Sequence, residues 1–251
     1  MLKKIALATA LLATASFATW DKFPVLEANK GQAEAGVSYM MAGDLSQLGL
    51  FAGARYTVIP NLELATKIPF VLFTDWDGND LKQDGIGNIP VMIRYQFMPI
   101  MNAFVDVDLP VGDETVADDG LGVHLGVQYS QNFGTVNLGT EAGFELRTEG
   151  DNEVSPPYVL NLGAEGQIPL GMVTPYVGLD LAMWLGESTH DGDDVSLEDE
   201  SGTIGLTPYL GANVGINEMF YADAQIRFGI GEDMYGPDTP ITLIAKFGVN
   251  F

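Results

Sequence analysis

From residue 32 onward the chain alternates apolar and polar side chains with a period of two, in stretches set apart by Gly, Pro, Asn and Asp. A period of two marks strands with one apolar face. Twelve such stretches can be read, at 32–42, 47–58, 62–72, 87–98, 102–110, 121–131, 136–147, 157–168, 173–184, 203–214, 219–230 and 241–251. In the last of them Ile241, Leu243, Ala245, Phe247, Val249 and Phe251 form one row, against Thr242, Lys246, Gly248 and Asn250 in the other. Fifteen charged residues fall within the twelve stretches, nine acidic and six basic, and every one lies on the polar row of its own stretch. Parity of this kind shows regular strands without deciding which face meets water.

The connections decide between a soluble sandwich and a membrane barrel. Tight turns at 59–61, 99–101, 132–135, 169–172 and 215–218 alternate with longer connections at 73–86, 110–120, 148–156, 185–202 and 231–240, and only 43–46 is a short member of the second set. Short turns on one side and long loops on the other are the pattern of an outer-membrane barrel. Strand length agrees, because a tilted spanning strand needs about 9–11 residues where a strand of an ordinary domain averages about 5–6. The fold expected is therefore all-β, a single transmembrane antiparallel up-and-down β-barrel of about twelve strands, occupying 32–251. Tyr56, Tyr95, Phe97, Tyr129 and Phe220 near the short-turn ends, with Phe70, Phe73, Trp76, Trp184 and Phe228 near the long-loop ends, would supply the two aromatic girdles of such a barrel.

The first residues and the last agree with export to that membrane. Lys3 and Lys4, an apolar run from Ile5 to Phe17 and the small residues Ser16 and Ala18 read as a signal peptide over 1–18. The apolar run is shorter than the roughly 20 residues of a spanning helix. A segment at 19–31, with Trp20, Phe23 and Pro24, then precedes the barrel, lying in the periplasm or as a plug in the lumen. At the other end a strand closing on Phe251 resembles the C-terminal signal read by barrel assembly machinery, an expected partner beside the lipids of the bacterial outer membrane.

Composition changes the picture in one respect. Against 11 Lys and Arg stand 34 Asp and Glu, for a formal charge of −23, and there is no Cys. Such a balance repels phosphates and excludes nucleic acid as a partner. Of the 34 acids, 22 lie in the long connections and 43–46, where Lys82 is the one base. The acidity is thus a fringe on one rim, where divalent cations are candidate partners.

With the apolar row facing lipid, the polar row lines a lumen. Its candidate channel-lining residues are Lys67, Arg94, Asp106, Asp108, Glu141, Glu145, Arg147, Asp180, Asp223, Arg227 and Lys246. A symmetric turn at 99–101 would set Arg94 directly opposite Asp106, as a brace in the wall or a charged constriction. His124 points inward near Glu141 with no role assigned, and His190 sits in an acidic loop with Asp191 and Asp193. The run Asp75-Trp76-Asp77-Gly78-Asn79-Asp80 alternates oxygen donors like a calcium loop but lacks its closing Glu, so no metal site is assigned. Gly85-Ile86-Gly87-Asn88 is no dinucleotide fingerprint, since no helical pattern follows it, and no cofactor is expected. No catalytic residues are expected either. A barrel lipid hydrolase needs Ser beside His, commonly as His-x-Ser, and the two histidines stand in His124-Leu125-Gly126 and His190-Asp191-Gly192.

Three strings carry a family resemblance. Asp84-Gly85-Ile86-Gly87-Asn88-Ile89, Ala103-Phe104-Val105-Asp106-Val107-Asp108-Leu109-Pro110-Val111-Gly112 and Ile59-Pro60-Asn61-Leu62-Glu63-Leu64 resemble, in order, stretches of outer-membrane proteins of the MetA-pathway phenol-degradation type. Asn88 and Val111 depart from the family pattern. The resemblance implies a channel or transporter for small solutes, including apolar or aromatic compounds, and brings no catalytic residues with it. The alternative is a closed structural or surface-interaction barrel acting through its acidic loops.

Overall fold

The computed structural model describes Trp20 and residues 22–117, 119–150, 153–190, 193–195 and 200–251. The signal peptide expected over 1–18 lies outside the described residues. Twelve long strands, labelled in chain order, are β1 (Gly31–Ala42), β2 (Leu45–Ile59), β3 (Leu62–Trp76), β4 (Ile89–Met98), β5 (Met101–Leu109), β6 (Gly122–Phe133), β7 (Val136–Arg147), β8 (Tyr158–Gln167), β9 (Val173–Leu185), β10 (Ile204–Gly215), β11 (Phe220–Phe228) and β12 (Ile241–Asn250). Each pairs antiparallel with its neighbours in sequence, and β1 pairs with β12, from Gln32 opposite Asn250 to Met41 opposite Ile241. The sheet is closed, and each of the twelve long strands has a partner on both sides.

The barrel is apolar outside and polar inside. Val177, Leu210 and Phe247 are each more than half exposed on the outer face, among an outward row that includes Leu50, Ile68, Phe70, Ile93, Leu125, Leu162 and Leu243. Inward lie Glu63, Arg94, Gln128 and Glu165, each 1% exposed. None of the fifteen strand charges is exposed. A water-soluble protein would arrange these rows the other way round, and an outward apolar band of this extent suits hydrocarbon. The closed ladder satisfies backbone donors and acceptors internally, as hydrocarbon requires.

Cross-strand pairs of tyrosine and glycine line one side of the bore. Gly178 on β9 stands opposite Tyr209 on β10, Tyr176 on β9 opposite Gly211 on β10, and Tyr221 on β11 opposite Gly248 on β12. Each ring lies over the glycine it faces. A Cβ on Gly178 would sit 2.2 Å from the Tyr209 ring, one on Gly211 2.4 Å from Tyr176, and one on Gly248 2.1 Å from Tyr221. The aromatic thus packs flat against the wall where a side chain would push it into the bore. Gly178→Val should cost about 1–3 kcal/mol through overpacking, read as a lower temperature for loss of the compact band in a heat-modifiability gel. A Val at Gly171, in the turn before β9, has no neighbouring atom within 4 Å of its Cβ but carries a φ of 69°, so its cost would come from backbone strain alone.

Two connections differ from the sequence expectation. The turn from β4 to β5 closes with Met98 opposite Met101 after a bulge, which sets Arg94 opposite Phe104 and Asp106 opposite Met92. The direct Arg94–Asp106 opposition is therefore replaced by a diagonal one, a shift of two residues of which the tighter turn supplies one and the bulge the other. Trp76, expected in a lipid-facing girdle, turns instead into the barrel mouth, where it packs against a cluster of Met40, Ala42, Leu45 and Tyr235. Tyr235 belongs to a short helix, α1 (Glu232–Tyr235), in the last long loop. Its hydroxyl meets Thr207 Oγ1 at 2.9 Å, and Met234 lies over Gly205, so this loop covers part of the mouth.

Candidate functional site: an occupied lumen

The segment before β1 runs inside the barrel. Asn29 N–H donates to the Thr57 carbonyl at 2.9 Å at the short-turn end, Leu26 N–H to Glu63 Oε2 at 3.0 Å, and Val25 N–H to Gln96 Oε1 at 3.1 Å. Farther along the bore Asn102 Nδ2 donates to the Phe23 carbonyl at 3.4 Å. The Lys22 backbone then fills the space a Cβ on Gly139 would need, its carbonyl only 2.3 Å from that position. Lys22 Nζ reaches Asp180 at 2.5 Å and the Tyr209 hydroxyl at 3.1 Å. Trp20, 4% exposed, packs on Ala65 and Met92, with Lys67 Nζ 4.8 Å and Arg55 Cζ 5.3 Å from its ring. Cations over an indole face are attracted by its quadrupole, which favours this seat for the ring.

Around that segment the inward charges form three groups. In the first, Glu34 on β1 accepts Lys67 at 3.1 Å and Lys246 at 3.2 Å, with the Tyr221 hydroxyl at 3.3 Å, while Glu63 lies 3.6 Å from Arg55 and 3.8 Å from Arg94. In the second, Asp180 holds both Lys22 and Arg227, the latter at 2.9 Å. Tyr209 donates to Glu165 at 2.9 Å, and Tyr176 to Asp223 at 2.9 Å. In the third, Arg147 lies 3.0 Å from Asp108 and 3.6 Å from Glu145, Gln128 donates to Glu141 at 2.7 Å, and His124 stands 4.0 Å from Asp106. Pairing of this kind is what allows charge to persist away from bulk water.

The eleven residues singled out from the sequence all lie on inward rows, Lys67, Arg94 and Lys246 in the first group, Asp180, Asp223 and Arg227 in the second, and Asp106, Asp108, Glu141, Glu145 and Arg147 in the third. The four other strand charges, Glu34, Arg55, Glu63 and Glu165, share those rows and complete the groups. Of the two places open to the segment 19–31, its described residues take the lumen, and what the sequence reading missed are Lys22 and the three inward tyrosines. A signal for the tyrosines existed, since Tyr176 has the parity of Asp180, and Tyr221 that of Asp223 and Arg227. In the loops, Asp75 accepts Gly78 N–H at 2.8 Å across the hairpin of alternating oxygen donors, and His190 Nδ1 lies 3.0 Å from the Glu153 carbonyl.

The geometry defines a class, the closed β-barrel with a greasy wall and a polar, filled bore. No family model matches the chain, and no curated protein matches it in sequence. Solved structures do share its fold. A COG4313 outer membrane channel from Pseudomonas putida F1 is 14% identical with a TM-score of 0.74, covering 94% of this chain and 100% of its own. The translocator domain of the autotransporter NalP from Neisseria meningitidis is 13% identical with a TM-score of 0.63, covering 99% and 98%. The NanC porin is 5% identical with a TM-score of 0.55, covering 86% and 98%. At these identities the likeness establishes the barrel fold, one found in outer-membrane proteins.

Proposed function

We propose that the chain is a bacterial outer-membrane channel for small solutes whose bore is held shut by its own first residues. The observation that carries this reading is the nature of the blockage. Trp20 and Lys22 fill the lumen from a segment that belongs to no strand, held by hydrogen bonds, one ion pair and ring contacts, so it can leave without disturbing the wall. A barrel built only for rigidity would fill its bore from the wall. The likeness in fold to an outer membrane channel supports a channel, and the resemblance to the MetA-pathway phenol-degradation type is what implies small apolar or aromatic cargo.

A liposome-swelling series with sugars, amino acids and aromatic acids tests the reading. Swelling with at least one solute class is expected, fastest for aromatic acids. If neither the full chain nor a form lacking residues 20–28 swells with any solute, the channel reading falls. The second reading, a closed barrel working through its acidic loops, is favoured by the packing of Tyr235 and Trp76 across the mouth, and it predicts that outcome.

A further inference from the structure

The wall between β3 and β4 is interrupted. Their ladder runs from Leu62 opposite Tyr95 to Thr66 opposite Val91, stops, and resumes one residue out of register with Phe70 opposite Ile86 in the preceding segment. Pro69 on one side and Pro90 on the other lie in the gap, and neither has an N–H to donate. The Pro90 carbonyl accepts the Thr66 hydroxyl at 2.8 Å, and the Pro69 carbonyl accepts Gly87 N–H at 3.0 Å. Residues 85–88 also hang on the next long loop. Ile86 N–H donates to Asp113 Oδ2 at 2.8 Å, Asp113 N–H to the Ile86 carbonyl at 2.7 Å, and Gly112 N–H to Asn88 Oδ1 at 3.1 Å.

The same seam is apolar through its thickness. Inside lie Ala65, Val71, Pro90 and Met92, all buried, with Trp20 packed on Ala65 and Met92. Outside lie Ile68, Phe70, Ile86, Val91 and Ile93, all exposed. Lys67, the charged residue of this part of β3, leans the other way, its Cγ over Gly53 of β2 and its Nζ on Glu34 of β1. An intact ladder in hydrocarbon opens only by exposing paired backbone groups. Here two prolines reduce what must be broken, and the residues of β3 and β4 that line the seam are apolar, with Asp106 and Asp108 of β5 bordering its inner side opposite Met92 and Pro90.

We propose that this seam is a lateral passage by which small apolar molecules leave the lumen for the hydrocarbon of the bilayer, with Trp20 standing at its inner side as the gate. The proposal rests on the reading of the barrel as a channel for apolar cargo. Leaving sideways spares such a molecule a return to water, which is the unfavourable step for apolar surface.

The chain has no Cys, so a disulfide can be placed cleanly. Phe70→Cys with Ile86→Cys, direct partners in the antiparallel pairing, ties residues 85–88 to β3. The control is Val91→Cys with Val107→Cys, across the continuous ladder of β4 and β5. Both are first checked for the folded gel band, then for uptake of the apolar dye phenylnaphthylamine by porin-poor cells. Oxidised Phe70→Cys/Ile86→Cys cells should fall to the level of cells lacking the protein and recover on reduction, with the control unaffected in both states. Trp20→Ala should raise uptake in the unlocked barrel but not in the locked one. Equal uptake in the oxidised and reduced lock, or an equal rise with Trp20→Ala in both, overturns the lateral passage while uptake above background upholds the channel. Wild-type uptake at background overturns the apolar-cargo reading and the passage with it.

Discussion

Deleting residues 20–28 should convert rare or flickering currents into steady open steps with several-fold larger conductance in a planar bilayer. The segment touches the wall through Glu63, Ala65, Met92, Gln96, Asn102, Gly139, Asp180 and Tyr209, and so spans much of the cross-section. Barrels with fewer strands are filled by their own side chains, and larger ones stand open; twelve strands fall between, where a few inserted residues decide the state. Lys22→Ala should act in the same direction more weakly, raising the frequency of opening without the full step, because it removes the contact with Asp180 and leaves Trp20 seated. Unchanged currents in the deletion would mean that the mouth cluster around Tyr235 closes the bore by itself.

The largest loss of stability should follow Glu34→Ala. Its carboxylate is fully buried and lies between the ammonium groups of Lys67 and Lys246, which come from β3 and β12 on either side. Removing it takes a shared counter-charge from two buried cations, and breaking a buried pair costs about 3–5 kcal/mol. Glu34→Gln should recover part of this, since an amide oxygen still accepts hydrogen bonds but carries no charge. The measure is the urea midpoint for unfolding in detergent micelles. A midpoint equal to wild type would show that water enters the lumen freely enough to solvate both lysines.

The strands were legible because lipid outside and polar groups inside impose one period on every span. The stretch 136–147 coincides with β7, and 62–72 falls short of β3 by four residues because Phe73 to Trp76 depart from strict alternation. The charges were legible for the same reason, since each of them had one face on which it could be paired. Register was not, because it depends on turn geometry, and the tighter turn together with the bulge before Met98 moved Asp106 two places relative to Arg94. Nor was the position of Trp20 and Lys22. A segment without period carries no face, and its seat is fixed by Glu63, Gln96, Asn102 and Asp180, which lie far from it in sequence. Tyr235 escaped for a similar reason, being a loop residue whose partners Met40, Ala42 and Leu45 come from the first hairpin.

The tyrosine and glycine pairs have a consequence for the shape of any opening. Tyr176, Tyr209 and Tyr221 are part of the wall and remain when the N-terminal segment leaves, each anchored by a carboxylate on Asp223, Glu165 or Glu34. Trp20 reaches from β3 and β4 to the Tyr221 side chain, and Lys22 lies against Tyr209. The space the segment vacates is therefore flanked along β9 to β11 by three fixed rings lying against the wall, a flat-sided slot and not a round hole. A slot of that form grades molecules by thickness before diameter, admitting a flat ring more readily than a globular sugar of equal mass.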